Sequence, residues 1–216
     1  MNLNEKTINM LKNFSSVNPS ILVREGNVLR SMSPLKTIYA KATVPDTFTK
    51  RFAVYDLSQF IGIHSTFDSP SLEFTDTFLT ISDSKKDLNF FYAAEETIKV
   101  ASEKDPALPS VDATFNFNTD SLKEVIRGAG ILKLPDIAFV GDGQTISVQA
   151  MNHKENSSNV YRERIAASDK VFRAVFKVEN ITKIISGEYN VEISTRGISH
   201  FTGVEAEYWI AVEAFS

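Results

Sequence analysis

The sequence contains no cysteine. This absence excludes a disulfide framework and a thiolate zinc site, and it suits a protein of a reducing cytosol. No apolar run of about 18 residues is present, so no membrane-spanning helix is predicted. The stretch that ends at Lys6 is charged early and lacks the apolar core of a secretory signal. We therefore expect a soluble, intracellular protein with no membrane partner.

Signatures of catalysis and cofactor binding are also missing. The three histidines, His64, His153 and His200, are far apart, and none has the spacing of paired metal ligands. The chain has no phosphate-binding loop, no dinucleotide-binding glycine motif and no nucleophile elbow. Gly128 and Gly130 are predicted to end a helix, where glycine commonly acts as a C-cap. The sequence thus predicts no enzyme, no metal site and no cofactor.

An excess of positive charge is absent as well. The chain has 23 Lys and Arg against 27 Asp and Glu, which gives a net charge of -4. This balance argues against nucleic-acid affinity spread over the whole surface. It leaves room for a local basic face.

What the sequence does have is enough apolar material for more than one core. Its 216 residues are 43% hydrophobic and include 16 phenylalanines, each of which can bury a large apolar area. A chain of this length forms one large β-rich domain or two domains of roughly 100 residues each.

The first half of the chain shows a distinct order of elements. Asn4 is the predicted N-cap of an amphipathic helix that has Ile8, Leu11 and Phe14 on its apolar side. A hairpin is predicted around Gly26, and Asp56 is the predicted cap of a short second helix. Several short strands follow this helix.

The second half repeats that order. A helix is predicted to begin within residues 118–120, a hairpin surrounds Gly143, and Asn180 is the predicted cap of a short helix before the closing strands. Such a repeat predicts the α+β class, with two similar domains that each have antiparallel strands and two helices. The domains would span residues 1–108 and 109–216 and be joined through the polar segment 95–109. The alternative is one β-sandwich whose halves look alike by chance.

Basic residues on the predicted helices are the main functional candidates. They lie off the apolar stripes of the helices or just beyond their ends: Lys6, Lys12, Lys123, Arg127, Lys133 and Lys183. Considered helix by helix, an ordinary solvated face explains them. Only an arrangement that gathers the helices around a common axis would turn them into a surface for phosphates.

Three co-linear motifs resemble a known family. They are Leu11-Lys12-Asn13-Phe14, Val54-Tyr55-Asp56-Leu57 with Phe60-Ile61-Gly62-Ile63, and Tyr208 with Ile210-Ala211-Val212-Glu213-Ala214. In order and length, the chain resembles the sliding clamps (DNA polymerase processivity factors) of T-even-type bacteriophages and related cyanophages. Stretches 74–87 and 153–159 match that family poorly. The resemblance implies a DNA-clamp fold of two similar domains, with antiparallel sheets on the outside and two helices per domain on the inside.

The resemblance also implies a function and partners. A head-to-tail homotrimer would close into a ring that encircles duplex DNA without reading its bases and tethers the replicative polymerase. The six basic residues would then face the DNA. The implied partners are the C-terminal peptide of the phage DNA polymerase, an ATP-dependent clamp loader and late-transcription factors. The implied location is the cytoplasm of the infected bacterial host.

A partner-peptide pocket is expected near the segment that joins the domains. By position, its residues would be Tyr39, Leu108, Val111 and Phe215. An apolar pocket beside a mobile segment is a common design for peptide docking. The alternative is that Leu108 and Val111 only hold the linker on its domain.

The expected subunit contact pairs two edge strands, residues 88–93 of one subunit and 160–166 of its neighbour. The predicted interface residues are Phe90, Tyr92, Val160, Tyr161, Arg162, Arg164 and Ile165. For the apolar members, ordinary core packing is the alternative.

Another function class remains open at this stage. A β-rich virion or assembly protein would also form oligomers and lack catalytic motifs, but it would need no basic helix faces.

Overall fold

The computed structural model describes residues 1–214. Its internal contacts divide the chain into two compact units, Met1–Asp105 and Pro106–Ser216. We call these units 1 and 2. The division lies in the same connecting segment as the predicted boundary between residues 108 and 109.

Besides a single 3-10 turn at Glu95–Thr97, unit 1 contains two α-helices and seven strands. In chain order these are α1 Glu5–Val17, β1 Ile21–Val23, β2 Gly26–Met32, β3 Ile38–Phe48, β4 Phe52–Val54, α2 Leu57–His64, β5 Ser71–Phe74, β6 Phe78–Ser82 and β7 Asp87–Phe91. Strand β1 pairs with β4, β2 pairs with β3, and β5, β6 and β7 form a meander, all antiparallel. Helix α1 packs on β3 and α2.

The described part of unit 2, residues 106–214, contains two helices and eight strands. In chain order these are β8 Ala113–Asn118, α3 Thr119–Leu132, β9 Asp136–Asp142, β10 Thr145–Met151, β11 Tyr161–Ala167, β12 Val171–Lys177, α4 Val178–Ile181, β13 Glu188–Ile193, β14 Ile198–Gly203 and β15 Glu207–Ala211. Strands β11-β10-β9-β12 form one antiparallel sheet, and β15-β14-β13-β8 are paired in that order. Helix α3 packs on β9, β10 and β11.

The two units repeat one order of elements: a helix, four strands, a helix and three strands. In unit 2, β8 precedes the first helix and pairs with β13. In unit 1 the chain start has a similar position, because Met1 N donates to Leu72 O (2.8 Å) and Leu72 N donates to Met1 O (2.6 Å). The predicted α+β fold of two similar halves with antiparallel strands is confirmed.

Local side chains determine where three of the helices begin. The Asn4 side chain accepts from Lys6 N, Asp56 accepts from Gln59 N, and Asn118 accepts from Asp120 N. Each bond satisfies an N–H that has no partner within its helix.

Helix α4 differs from its prediction. It is only the four residues Val178–Ile181, and Asn180 lies inside it instead of capping it. The reason is that β12 continues to Lys177, which pairs with Asp136 of β9, so the helix begins directly at the strand end.

The predicted hairpin around Gly26 is wrong. All three residues of β1 are buried, and they pair with the three buried residues of β4, with Leu22 opposite Ala53. A strand that is covered on both faces does not alternate in polarity, so its pairing partner cannot be read from a local pattern. In unit 2 the equivalent hairpin, β9 to β10 around Gly143, forms as predicted.

The predicted end of α3 at its glycines is also wrong. The helix continues through Gly128 and Gly130 to Leu132, and Lys133 is its C-cap with a left-handed φ of 54°. A Cβ at Gly128 would lie 2.8 Å from ring atoms of Tyr161. Gly128 therefore allows β11 to pack closely on the helix instead of ending it.

Phenylalanine rings fill the core of unit 2. Phe139 of β9 lies 5.3 Å from Phe117, 5.9 Å from Phe176 and 6.0 Å from Phe201, measured between ring centroids. Burial of each such side chain contributes about 2 kcal/mol to stability. This packing gives unit 2 the rigid base on which α3 presents its outer face.

Candidate nucleic-acid interface

In unit 1 the exposed cations of the helices come from α1. Its buried residues Met10, Leu11 and Phe14 face the unit, and Lys6 and Lys12 are exposed on the opposite side. Helix α2 contains no Lys or Arg, so its exposed face is uncharged. The two helices of unit 1 therefore differ in what they could offer to a phosphate.

In unit 2 the cations cluster on α3. Lys123 and Arg127 are one turn apart and both exposed, and Lys133 is exposed at the C-cap. Lys123 Nζ lies 2.7 Å from Asp120 Oδ1, an ion pair within the helix that offsets part of its charge. Arg127 is thus the strongest phosphate-binding candidate on this helix.

A groove between α3 and α4 joins some of these residues. Lys123 and Arg127 lie on the α3 side of this groove. Its apolar lining comes from α3, from α4 and from the residues just beyond α4: Leu122, Ile126, Ile181 and Ile184. Lys183 is half-buried just beyond α4, where its backbone N–H donates to Asn180 O (3.1 Å). Lys183 is therefore less available to a ligand than the α3 cations.

Four exposed cations on or just beyond the helices lack a carboxylate partner among the described residues. Within residues 1–214, Lys6, Lys12, Arg127 and Lys133 form no ion pair. Flexible, exposed cations bind phosphate oxygens through charge, with no geometry that selects a base. Within each unit, such side chains suit sequence-independent contact with a nucleic-acid backbone.

Each unit also has an edge strand that could extend a sheet. Strand β7 is the last strand of its meander, and β11 is the last strand of the four-stranded sheet. Tyr92 N donates to Thr77 O (3.0 Å), toward β6. Because N–H groups alternate sides along a strand, Phe91 N points away from β6.

The predicted interface residues of β7 pack inward. Phe90 lies 5.4 Å from Phe60, and Tyr92 lies 5.3 Å from Phe52 and donates its hydroxyl to Thr75 O (3.3 Å). Phe91, which the sequence analysis did not select, is 69% exposed. The alternation of side chains along a strand could have identified it, since Phe90 and Tyr92 share one face of the strand and Phe91 lies on the other.

The predicted residues at the β11 edge are largely exposed. Val160, Tyr161, Arg162 and Arg164 are exposed, and Ile165 is half-buried. The Tyr161 ring covers Gly128 of α3.

Two further apolar residues of α3 were missed. Ile131, which is 74% exposed, and Leu132 lie three and four positions beyond Gly128, so they share its side of the helix. Together with Val160 and Tyr161 they make the β11 edge apolar.

The predicted peptide-pocket residues have different environments. In unit 1 the Tyr39 ring is buried, and its hydroxyl donates to Ser102 O (2.7 Å), which holds the connecting segment. Burial raises the pKa of Tyr39. Tyr39 thus offers no exposed wall for a pocket within unit 1. In unit 2, Leu108 is half-buried and Val111 is 52% exposed, whereas Phe215 lies outside the described residues.

A buried charge cluster in unit 2 has no counterpart in the sequence analysis. The fully buried Asp136 accepts from Lys177 Nζ (2.7 Å), His153 Nδ1 (2.7 Å) and His153 N (3.0 Å). Burial alone would raise the pKa of Asp136, but these hydrogen bonds hold it below its ordinary value. The three residues are far apart in the chain, so only strand register could reveal the cluster.

Among residues 1–214, no helix has the length and apolar character that crossing a membrane requires.

Comparison with known proteins assigns the family. A family model described as DNA polymerase processivity factor matches residues 3–102, and one described as the C-terminal part of the gp45 sliding clamp matches residues 114–214. The sliding clamp of Vibrio phage KVP40 is 32% identical over 99% of this chain and 100% of that protein. The sliding clamp of Enterobacteria phage T4 is 26% identical over 100% of this chain and 98% of its own.

The fold has solved counterparts beyond phages. The A. fulgidus PCNA, solved with the C-terminal region of FEN-1 bound, matches with a TM-score of 0.70 and 15% identity over 97% of this chain and 95% of its own. Similarity to clamps along the whole sequence decides against the virion-protein alternative. The chain belongs to the sliding-clamp family of phage DNA polymerase processivity factors, and it is a replication protein and not an enzyme.

Proposed function

We propose that this sliding clamp is a head-to-tail homotrimer that encircles duplex DNA and keeps the phage polymerase on its template. The observation that supports this most directly is the set of exposed cations on the solvent-facing sides of α1 and α3, in a chain whose net charge is -4. Basic side chains on a generally acidic protein concentrate DNA affinity at one surface.

The strength of these contacts suits sliding. Each exposed cation gains little from one phosphate in water, and salt screens that gain. A ring that is held by topology needs no tight contact, and weak contacts exchange quickly from one phosphate to the next. The polymerase then stays at a high effective concentration on the DNA.

Ring closure is supported by the two edge strands. Exposed edges with apolar side chains favour pairing with another chain. Phe91 and Ile63 line a groove beside β7, and Tyr161 and Ile131 lie at the β11 edge. Because the two edges differ, their pairing is heterologous, and a rotation that closes gives a ring.

Partner binding follows from the same arrangement. A polymerase C-terminal peptide would dock near Leu108 and Val111, and late-transcription factors would use the same face. An ATP-dependent clamp loader would open and place the ring. These activities would take place in the cytoplasm of the infected bacterium. The PCNA solved with a bound FEN-1 segment supports peptide docking on this fold.

A processivity assay with charge-reversed variants tests the DNA-facing assignment. We expect Lys123→Glu with Arg127→Glu to shorten the products of the phage polymerase and clamp loader on a long primed template at least ten-fold. Lys85→Glu with Lys170→Glu, two exposed cations away from the helices, makes the same charge change and is expected to leave product length unaltered. Equal product lengths from both double variants would refute the assignment.

Encirclement has its own test. Clamps loaded on a nicked circular duplex should remain bound in high salt and be lost when the circle is cut once, because only a ring slides off an end. Retention on the linear DNA would contradict a topological link.

A further inference from the structure

Unit 2 has a second groove, on the face of the β9–β12 sheet that is opposite its aromatic core. Phe139 and Phe172 point into that core, where each lies near Phe115 (5.8 and 6.3 Å). Their chain neighbours Val140 and Arg173 therefore lie on the other face. This groove has a volume of about 350 Å³. We call it the arginine groove and define it by Val140, Gln149, Met151, His153, Arg162 and Arg173.

The floor of the arginine groove combines two apolar side chains, Val140 and Met151, with one amide, Gln149. Met151 packs in a buried cluster with Ala138 and Val175, and Val140 lies against that cluster and is partly exposed. Gln149 is buried beside them, with its side-chain N–H donating to Ser147 Oγ (2.8 Å). A ligand on this floor would meet the side chain of Val140 and the nearly buried Met151, with the Gln149 amide beside them.

Two guanidinium groups flank that floor. Arg162 of β11 pairs with Gln149 in the strand register, and Arg173 of β12 pairs with Val140. Arg173 Nη2 lies 2.9 Å from Met151 Sδ, which places this guanidinium over the floor. Glu155 is the acidic side chain of the lining. The groove thus combines two positive walls with a floor of two apolar side chains and one amide.

The wall formed by residues 152–158 is held in place from beneath. His153 donates through its backbone N and its Nδ1 to the buried Asp136 (3.0 and 2.7 Å). The two ends of the segment are joined, because Asn152 N donates to Ser158 Oγ (2.8 Å). A preformed groove loses little entropy when a ligand binds.

We propose that the arginine groove binds an acidic peptide segment of a protein partner. A carboxylate of the segment would sit between Arg162 and Arg173, and a neighbouring apolar side chain would rest on Met151 and Val140. The guanidinium fork matches a carboxylate with two parallel hydrogen bonds. A nucleic-acid backbone fits less well, since its phosphates repeat along a strand, whereas this groove is short and offers two guanidinium groups beside Val140 and Met151.

Methionine methyl NMR tests the proposal at the groove itself. The chain has 4 methionines, of which Met151 lies in the floor and Met10 is buried in α1. The probe is the amidated peptide Gly-Leu-Asp-Asp-Leu-Gly. We expect it to shift the Met151 methyl resonance and to leave that of Met10 in place. The same peptide with Asn in place of Asp should bind at least ten-fold more weakly, because its charge-assisted hydrogen bonds are lost.

Variants and competitors make the result decisive. Arg173→Gln should weaken peptide binding about ten-fold, whereas Lys170→Gln, which removes an exposed charge outside the groove, should not. Because Arg173 lies on β12 and not on the β11 edge, this outcome is separate from any effect on trimer assembly. An unmoved Met151 resonance would overturn the proposal. Equal losses of peptide affinity in both variants would also overturn it. So would a shift of the Met151 resonance by inorganic phosphate at the same concentrations as the peptide.

Discussion

Asp136 illustrates how a single residue can organise part of this protein. Its carboxylate is fully buried and receives hydrogen bonds from Lys177 and from both donors of His153. Burial opposes ionisation, yet the hydrogen bonds outweigh it and lower the pKa of Asp136. Since the folded pKa lies below the unfolded value of about 4, the carboxylate stabilises the fold above that pH. This contribution is lost as the pH falls through the folded pKa.

We predict that Asp136→Asn lowers the free energy of unfolding by about 3 kcal/mol at neutral pH, because it leaves buried donors without their charged acceptor. Urea unfolding measures this change. Asp169→Asn, at an exposed position, is the control and should be nearly neutral. The gap between wild type and Asp136→Asn should narrow as the pH falls below about 4. A gap that stays constant down to acid pH would show that ionisation of Asp136 is not its source.

At the scale of elements, α3 contributes to two proposed surfaces, the DNA-facing cations and the β11 edge. One side of this helix packs on the sheet, another presents Arg127, and its last turns contact β11 through Gly128. Glycine normally weakens a helix, so the two glycines have a cost that only packing can offset. The close approach of Tyr161 offsets it at Gly128, whereas a Cβ at Gly130 would meet open space.

Substitution of the two glycines should therefore give opposite results. Gly130→Ala is expected to raise the free energy of unfolding by about 0.5–1 kcal/mol through helix propensity. Gly128→Ala forces the Tyr161 ring to move and should be less stable than Gly130→Ala by about 1–3 kcal/mol. Thermal or urea unfolding of both variants decides the matter. Similar stabilities would mean that the ring of Tyr161 gives way at little cost.

At the scale of the whole molecule, the proposed ring depends on one repeated joint. Strand β7 has only five residues, so few backbone hydrogen bonds can form at each contact. An interface of this kind is at the small end for specific association. The proposed trimer therefore depends strongly on protein concentration.

We predict that dilution converts the trimer to smaller species, as measured by analytical ultracentrifugation over a range of concentrations. Salt screens the contacts between cations and phosphates but does not screen apolar burial at Phe91, Tyr161 and Ile131, so added salt should weaken DNA loading more than assembly. A trimer that persists at nanomolar concentration would argue for a larger interface than the two edges provide.

A proline at the β7 edge tests the pairing itself. Phe91→Pro removes an N–H that points away from β6, so the meander should stay folded while the trimer is lost. Phe91→Ser, which loses the exposed ring but keeps the N–H, should retain more trimer. If both variants have the same sedimentation profile, the side chain and not the strand pairing holds the joint.

Local patterns in the sequence determined much of this protein. The helix starts at Asn4, at Asp56 and within residues 118–120 were predictable because a cap bonds to an N–H only two or three residues away. The hairpin around Gly143 likewise depends on neighbouring residues. The repeat of elements along the chain indicated the fold class, and the clamp motifs indicated the family.

Tertiary structure alone decided the rest. Strand β1 pairs with β4, Asp136 meets His153 and Lys177, and Tyr161 covers Gly128, although no local signal joins these residues. The arginine groove depends in the same way on the register that places β11 and β12 on either side of β9 and β10. Register is selected by which buried faces fit together across the whole unit, and that fit is a property of distant residues acting at once.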